Sequence, residues 1–253
     1  MIKVLVNGAK GRMGSEVMVA VAEAEGLVLV GGIDRDDDLA ASIQSMKPDV
    51  VVDFTAASSG FDNARTILMN GARPVMGTSG FQQEQIDTLA TLASSLQLSG
   101  LVAPNFSLGA VLMMQFSAQA ARYLPDAEVI EIHSPQKEES PSGTAIRTAE
   151  MIEAARTVSS MTPKGTELVA GARGAELHQV RLHALRLPGV VAQQTVMFGG
   201  HNETLKIEHH SLHRSCFMPG VILACRKIVG ETAFLFGLEH LMDERRASGH
   251  TTE

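Results

Sequence analysis

The stretch IKVLVNGAKGRMGSEVMVAVAEAEGLVLVGGID, residues 2–34, leaves few folds open to this chain. The apolar run 2–7 ends in Asn-Gly and reads as a strand buried on both faces. Helical spacing follows within 12–26, at Met13, Val17, Ala20, Val21 and Ala24, and Gly26 stops it. A second apolar run, 27–34, ends in Asp34. Between the first strand and the helix stand Gly8, Gly11 and Gly14. Glycines permit a tight turn there and let backbone N–H groups approach a phosphate, which the helix N-terminus also attracts. A GxxGxxG spacing alone is a weak signal. Joined to an acid at Asp34, able to accept from ribose hydroxyls, it predicts a dinucleotide site at this turn.

The pattern repeats downstream. Strands are predicted at 49–55, 72–79 and 98–106, with helices at 58–70 and 82–95 between them. Strands alternating with helices imply βαβ units and a parallel sheet. Loops at the carboxyl ends of such strands line the ligand crevice. Gly77, Thr78 and Ser79 form one of these loops, and Ala103, Pro104, Asn105 and Phe106 another. Their small residues suit close packing of a nicotinamide.

After Asn105 the pattern changes. A helix at 108–124 is apolar on more than one side, and a strand at 127–133 and a helix at 144–156 follow. Candidate strands at 178–187, 190–200 and 202–212 lie close together with short glycine-containing turns, which predicts an antiparallel or mixed sheet. The segments MPGVILACRKIVG and AFLFGLEHLMDER read as helical, and the tail RRASGHTTE as frayed. The expected fold class is α/β, a Rossmann-type parallel-sheet domain joined to an α+β domain with a mixed sheet.

Composition narrows the function classes. With 253 residues, 45% of them hydrophobic and 19% charged, the chain can bury a sizeable core in one large or two modest domains. A net charge of -7 and an aromatic content of 4% without Trp argue against nucleic acid as a partner. No apolar run of about 18 residues exists to cross a membrane. Cys216 and Cys225 form no pattern and the N-terminus lacks a signal-peptide core, so a reduced, cytoplasmic protein is expected. No metal site is expected. His209 and His210 are adjacent in a strand and face opposite sides, and His178, His183, His201, His213, His240 and His250 are scattered.

A second chemical stretch is EIHSPQKEESPSGTA, residues 131–145. His133 can trade a proton near neutral pH, and Lys137 can hold an anion or donate a proton. The sequence Pro-Ser-Gly-Thr then opens a helix, with Ser142 or Thr144 able to cap it. The N–H groups of the helix start around Gly143 and Thr144 suit a carboxylate. A plain surface loop before a well-capped helix is the alternative. Beside a dinucleotide fold, proton carriers next to an anion nest fit a reductase of a small acid.

Taken in order, NGAKGRMG, DFT, GTSG, APNFSLGAVL, EIHSPQKEESPSGTA and RSCFMPGVILACRK resemble the 4-hydroxy-tetrahydrodipicolinate reductase family over nearly the whole chain. The H-x-x-x-K loop running into PSGTA is the specific element, whereas the glycine turn is not. The resemblance implies a dinucleotide-binding domain over 1–106, completed by helices in 214–253, and a substrate-binding and tetramerisation domain over 107–213. It implies reduction of a hydroxylated cyclic imine dicarboxylate, with loss of water, by NADH or NADPH. His133 matches the family's acid/base, Lys137 its proton donor, and Gly143 and Thr144 its substrate carboxylate site. Positions 8–13, Asp34, 77–79 and 103–106 match cofactor positions. Where the family usually has a second histidine for substrate binding, this chain has Ser134, which cannot carry a positive charge. Glu139 stands where Asp is usual.

Two other readings compete. A two-domain dehydrogenase of aspartate or homoserine would lack the PSGTA loop. An NAD-sensing protein without turnover would not need His133 and Lys137. Between cofactors, Asp34 favours NADH and Arg35 could pair a 2′-phosphate, but Asp36, Asp37 and Asp38 oppose one. NADH is therefore expected to serve at least as well as NADPH, with dual use.

Overall fold

A computed structural model describes residues 1–78, 80–160 and 166–242. The glycine-turn half of the chain builds β1 (Ile2–Asn7), α1 (Gly14–Glu23), β2 (Leu27–Ile33), α2 (Leu39–Met46), β3 (Val50–Asp53), α3 (Ala57–Met69), β4 (Arg73–Met76), α4 (Gln83–Ser95) and β5 (Gly100–Val102). Their apolar runs are continuous because the strands are covered on both faces: Val4, Leu5, Val6, Val50, Val51 and Val52 are all fully buried. On one face Leu5, Val51, Met76 and Val102 meet Ile43, Ile67, Leu68 and Leu89 from the helices.

The second half builds α5 (Leu108–Ala121), β6 (Asp126–His133), α6 (Gly143–Ala155), β7 (Ala175–Leu177), β8 (Val180–Arg186), β9 (Ala192–Gly200) and β10 (Glu203–Ser211). A 3-10 turn, Arg214–Phe217, leads to α7 (Met218–Ile228), β11 (Phe234–Phe236) and α8 (Glu239–Met242). Contacts divide the chain into two units, Met1–Ser107 with the chain from Phe217 onward, and Leu108–Cys216.

The first unit holds a six-stranded sheet in the order β11-β5-β4-β3-β1-β2, with every neighbouring pair parallel. The order reverses at β1 and β3, so their carboxyl ends flank the crevice where such sheets bind ligands. The segment AFLFGLEHLMDER departs from the all-helical expectation. Phe234–Phe236 pairs with β5 as the sixth strand, and only Glu239–Met242 is helical among its described residues. Its three-residue strand is too short to show period two, and the open edge of β5 decides its conformation. Helix α2 also lies outside the sequence reading, because eight residues carry little periodicity; Asp38 caps it, accepting from the Ala41 N–H at 3.0 Å.

The second unit holds a five-stranded mixed sheet in the order β10-β9-β6-β8-β7. Strands β9 and β10 form the expected antiparallel hairpin, but β8 and β9 are not neighbours. Strand β6 lies between them, parallel to β8 and antiparallel to β9. Val129, Leu182, Val196 and Phe198 alternate into the buried face. The register pairs Val129 with both Leu182 and Val196, which places these three side chains on one face.

Helix α7 is stitched to the parallel sheet at its end. The buried Ser99 hydroxyl donates to the Ile228 carbonyl at 2.5 Å, one of the carbonyls a helix end leaves without an intrahelical donor. The substitution Ser99→Ala should cost about 1 kcal/mol, the net worth of a typical intramolecular hydrogen bond. Urea unfolding should show this as a lowered midpoint, with nucleotide affinity unchanged.

Candidate active site

The glycine turn folds back on the end of β2. The N–H groups of Gly8 and Ala9 both donate to the Ile33 carbonyl, at 2.9 and 3.0 Å. That of Gly11 donates to the Gly8 carbonyl, and that of Lys10 to Asp34 Oδ2, each at 3.0 Å. The N–H groups of Arg12, Met13 and Gly14 take no acceptor among the described residues. They open α1, so they are the donors left for a phosphate. Gly8 has φ +82, and a Cβ on Gly14 would lie 2.0 Å from the Gly8 carbonyl oxygen. The turn therefore requires glycine at both positions to bring the helix start so close to the strand end. Asp34 is held by N–H donors from Arg35 and Lys10, which keep its carboxyl below the usual range and ready to accept from hydroxyls. These features fit a dinucleotide.

The other cofactor-side loops meet at a residue to which the sequence reading assigns no role. Asp53 ends β3 and is fully buried. Its Oδ2 accepts from Asn7 Nδ2 at 2.7 Å and Asn63 Nδ2 at 2.9 Å. Its Oδ1 accepts from the Thr55 N–H at 3.0 Å, the Thr55 hydroxyl at 2.7 Å and the Thr78 hydroxyl at 3.1 Å. One carboxylate thus ties the ends of β1, β3 and β4 and the flank of α3. Gly77 is fixed alongside, its N–H donating to the Asp53 carbonyl at 2.9 Å. Ala103 hangs from the Met76 carbonyl at 3.0 Å, and Asn105 Oδ1 accepts from the Ser107 N–H at 2.7 Å. Phe106 is buried and packs against Phe54, centroids 5.7 Å apart. Pro104 is half-buried in the same loop. Ser79 lies outside the described residues, as does the tail expected to fray.

In the second unit, His133 ends β6 and its Nδ1 bonds to Glu131 Oε2. Glu131 is two residues back on the same strand face and is fully buried. Arg186, the register partner of His133 on β8, donates from Nη1 to both Glu131 oxygens at 3.1 Å. The Ser142 N–H donates to Glu131 Oε1 at 3.2 Å. Burial pushes the Glu131 carboxyl upward, but His133 and Arg186 outweigh it and hold the group below its usual value. Lys137 follows in a turn, its N–H donating to the Ser134 carbonyl at 3.1 Å, and its Nζ lies 3.6 Å from Glu139 Oε2. Ser142, not Thr144, caps α6, accepting from the Ala145 N–H at 3.2 Å. The Gly143 N–H at the helix start takes no acceptor among the described residues. Thr144 follows it, half-buried, in the first turn. Ser134 is half-buried beside His133.

Residues 2–106 match the family model for the N-terminus of dihydrodipicolinate reductase, and residues 109–242 the model for its C-terminus. The chain belongs to the dihydrodipicolinate reductase family. It is 47% identical over 240 residues to 4-hydroxy-tetrahydrodipicolinate reductase of Legionella pneumophila (strain Lens), covering 95% of this chain and 99% of that one. It is 45% identical over 259 residues to the Enterococcus faecalis (strain ATCC 700802 / V583) enzyme of that name, covering 96% and 100%. The dipicolinate-bound dihydrodipicolinate reductase from Paenisporosarcina sp. TG-14 superposes with a TM-score of 0.83 at 37% identity, covering 95% of this chain and 99% of that one.

Among the described residues, no group of three His, Cys, Asp or Glu is placed to hold a metal ion, and no helix is long and apolar enough to cross a membrane. His209 is half-buried and pushed down by burial, while the exposed His210 bonds to Glu208 at 2.7 Å. Cys225 is buried, which pushes its thiol up to about 12 and leaves it inert.

Sequence reasoning missed Asp53, Glu131 and Arg186. Glu131 had a signal, since it shares the parity of Ala127 and Val129 in a strand and so points into the core. Arg186 had none, because only the pairing of β6 with β8 brings it there. The substitution Asp53→Asn replaces an acceptor-only group by one that presents N–H to donors already in place. It should cost about 3 kcal/mol in urea unfolding and weaken nucleotide binding measured by NADH fluorescence.

Proposed function

We propose that the chain reduces 4-hydroxy-tetrahydrodipicolinate to tetrahydrodipicolinate, with loss of water and oxidation of NADH or NADPH, in the route to diaminopimelate and lysine. The observation that carries this reading is the loop from His133 to Gly143, which brings two proton carriers to the N-terminus of α6. The first unit holds the dinucleotide, with the N–H groups of Arg12, Met13 and Gly14 on its phosphates and Asp34 on a ribose. The loops at Gly77–Ser79 and Ala103–Phe106 take its nicotinamide half. When bound, the reduced nicotinamide supplies a hydride to the conjugated ring. In the second unit, Gly143 and Thr144 hold a substrate carboxylate by their N–H groups and the helix dipole. Lys137 offers an ammonium to the second carboxylate or a proton to the ring, and His133 acts as acid/base. The ring gains an electron pair with the hydride and must take up one proton, which these side chains provide. Ser134 offers its hydroxyl where relatives use a second imidazole, so one charge-assisted contact is replaced by a neutral one.

The substitutions His133→Ala and Lys137→Ala should each lower turnover about 100-fold or more, as expected for a positioned acid/base. Nucleotide affinity should stay near the wild-type value. Substrate for the assay is made in place by coupling pyruvate to aspartate semialdehyde. Near wild-type turnover in either variant would refute the assignment, and an NAD-sensing protein would bind nucleotide and turn nothing over.

NADH serves at least as well as NADPH. Asp37 accepts from the Asp34 N–H at 2.9 Å, which anchors it beside Asp34, and Asp38 caps α2 four residues on. Arg35 is exposed. A like-charged pair about 6 Å apart costs roughly 0.7 kcal/mol per unit charge in water. Two such acids offset much of what one exposed arginine contributes to a 2′-phosphate. Specificity constants for both nucleotides at one ionic strength decide this, and a preference for NADPH above tenfold would overturn it.

The chain assembles as a homotetramer through its mixed sheet and works in the cytoplasm. Supporting this, the sheet face opposite Val129 and Val196 carries Ile130, Ile132, Leu185 and Met197, of which Leu185 and Met197 are exposed. A second copy would bury that face.

A further inference from the structure

We propose that Glu131 and Arg186 are positioning residues for the reaction. Glu131 fixes His133 as the Nδ1–H tautomer and leaves Nε2 as the ring atom that meets substrate, while Arg186 clamps the Lys137 loop to the same carboxylate. The inference rests on the reading of His133 and Lys137 as proton carriers.

The argument starts from the donors around Glu131. Arg186 Nη1 and the Ser142 N–H can only donate. An ionised carboxylate can only accept, so the Nδ1 that bonds to it must carry the ring proton. Nε2 then holds the lone pair when the ring is neutral and the second proton when it is charged. Arg186 does more than balance the buried charge. Its Nε donates to the Lys137 carbonyl at 3.2 Å, and its Nη2 to the Glu139 carbonyl at 2.6 Å. Nη1 also reaches the Leu185 carbonyl at 2.8 Å. One planar fork therefore spans the carboxylate that orients His133 and the backbone that carries Lys137. A lysine would keep the charge but not the fork. The cap of α6 joins the same network, since the Ser142 N–H donates to Glu131 while its hydroxyl accepts from Ala145. Arg186 is the cation that meets this cluster from β8, and in the loop Lys137 Nζ lies 3.6 Å from Glu139 Oε2.

The test is the pair of substitutions Glu131→Gln and Arg186→Lys in the full-length chain. In Glu131→Gln the amide oxygen stays where two donors converge, Arg186 and the Ser142 N–H. The amide NH2 then faces Nδ1 and forces the opposite tautomer. Nitrogen NMR of the His133 ring, with His133→Ala to assign its signals, should show Nδ1–H in the wild type and Nε2–H in Glu131→Gln. Turnover should fall roughly 100-fold, with the Michaelis constant for substrate changed less than threefold. In Arg186→Lys the wild-type tautomer should persist while turnover falls at least tenfold. An unchanged His133 tautomer in folded Glu131→Gln overturns the orienting role, as does a wild-type ring already in the Nε2–H form. Wild-type turnover in Arg186→Lys overturns the clamp. Should Glu131→Gln fail to fold, the wild-type spectrum and Arg186→Lys still decide. If His133→Ala keeps full turnover while the tautomer responds to Glu131, the proton-carrier reading fails and the orienting contact stands.

Discussion

A carboxylate taken out of water must be surrounded by donors, and that requirement organises the functional loops in both units. Leaving a buried charge without partners costs several kcal/mol, so the chain segments that supply donors cannot drift. In the first unit, Asp53 gathers Asn7, Thr55, Asn63 and Thr78 onto one group. In the second, Glu131 gathers His133, Ser142 and Arg186. Each acid lies at or near the end of a strand, where the rigid sheet gives way to the loops that do chemistry. The two differ in kind. Asp53 meets neutral donors, which suits a fixed frame, whereas Glu131 meets an arginine and an imidazole and can influence proton transfer.

The glycine turn solves a related problem with backbone alone. Its first N–H groups are spent on Ile33, Gly8 and Asp34, which fixes the loop before any ligand arrives. Only the donors at the start of α1 are left over. A preformed set of N–H groups loses little freedom on binding an anion, and preorganisation of this sort strengthens binding without added contacts. Asp34 links the phosphate turn to the ribose position, since the carboxylate that anchors Lys10 is the one expected to meet the hydroxyls.

Relatives named 4-hydroxy-tetrahydrodipicolinate reductase are 45–47% identical to this chain. The family resemblance implies one departure in the site, at Ser134. It follows His133 in the strand-to-loop transition and cannot supply the charge of an imidazole. Of the neighbouring cations, Arg186 is already committed to Glu131 and the loop carbonyls. That leaves Lys137 as the cation proposed to meet a dicarboxylate.

Much of the fold was legible because parallel strands buried on both faces must be apolar throughout, and their helices must repeat at 3.6 residues. The glycines, Asp34, and the His133, Lys137 and Gly143 loop stood out in the sequence by residue type at local spacing, and they remain the proposed site. Tertiary structure decided what local spacing cannot encode. The segment Phe234–Phe236 became a strand because β5 offered an unpaired edge. Strand β6 inserted between β8 and β9, and that register carried Arg186 to Glu131 across 55 positions of sequence. The roles of Asp53 and Glu131 came from the same source. A carboxylate's partners are set by which strand ends and loops converge on it, and convergence is a property of the folded chain alone.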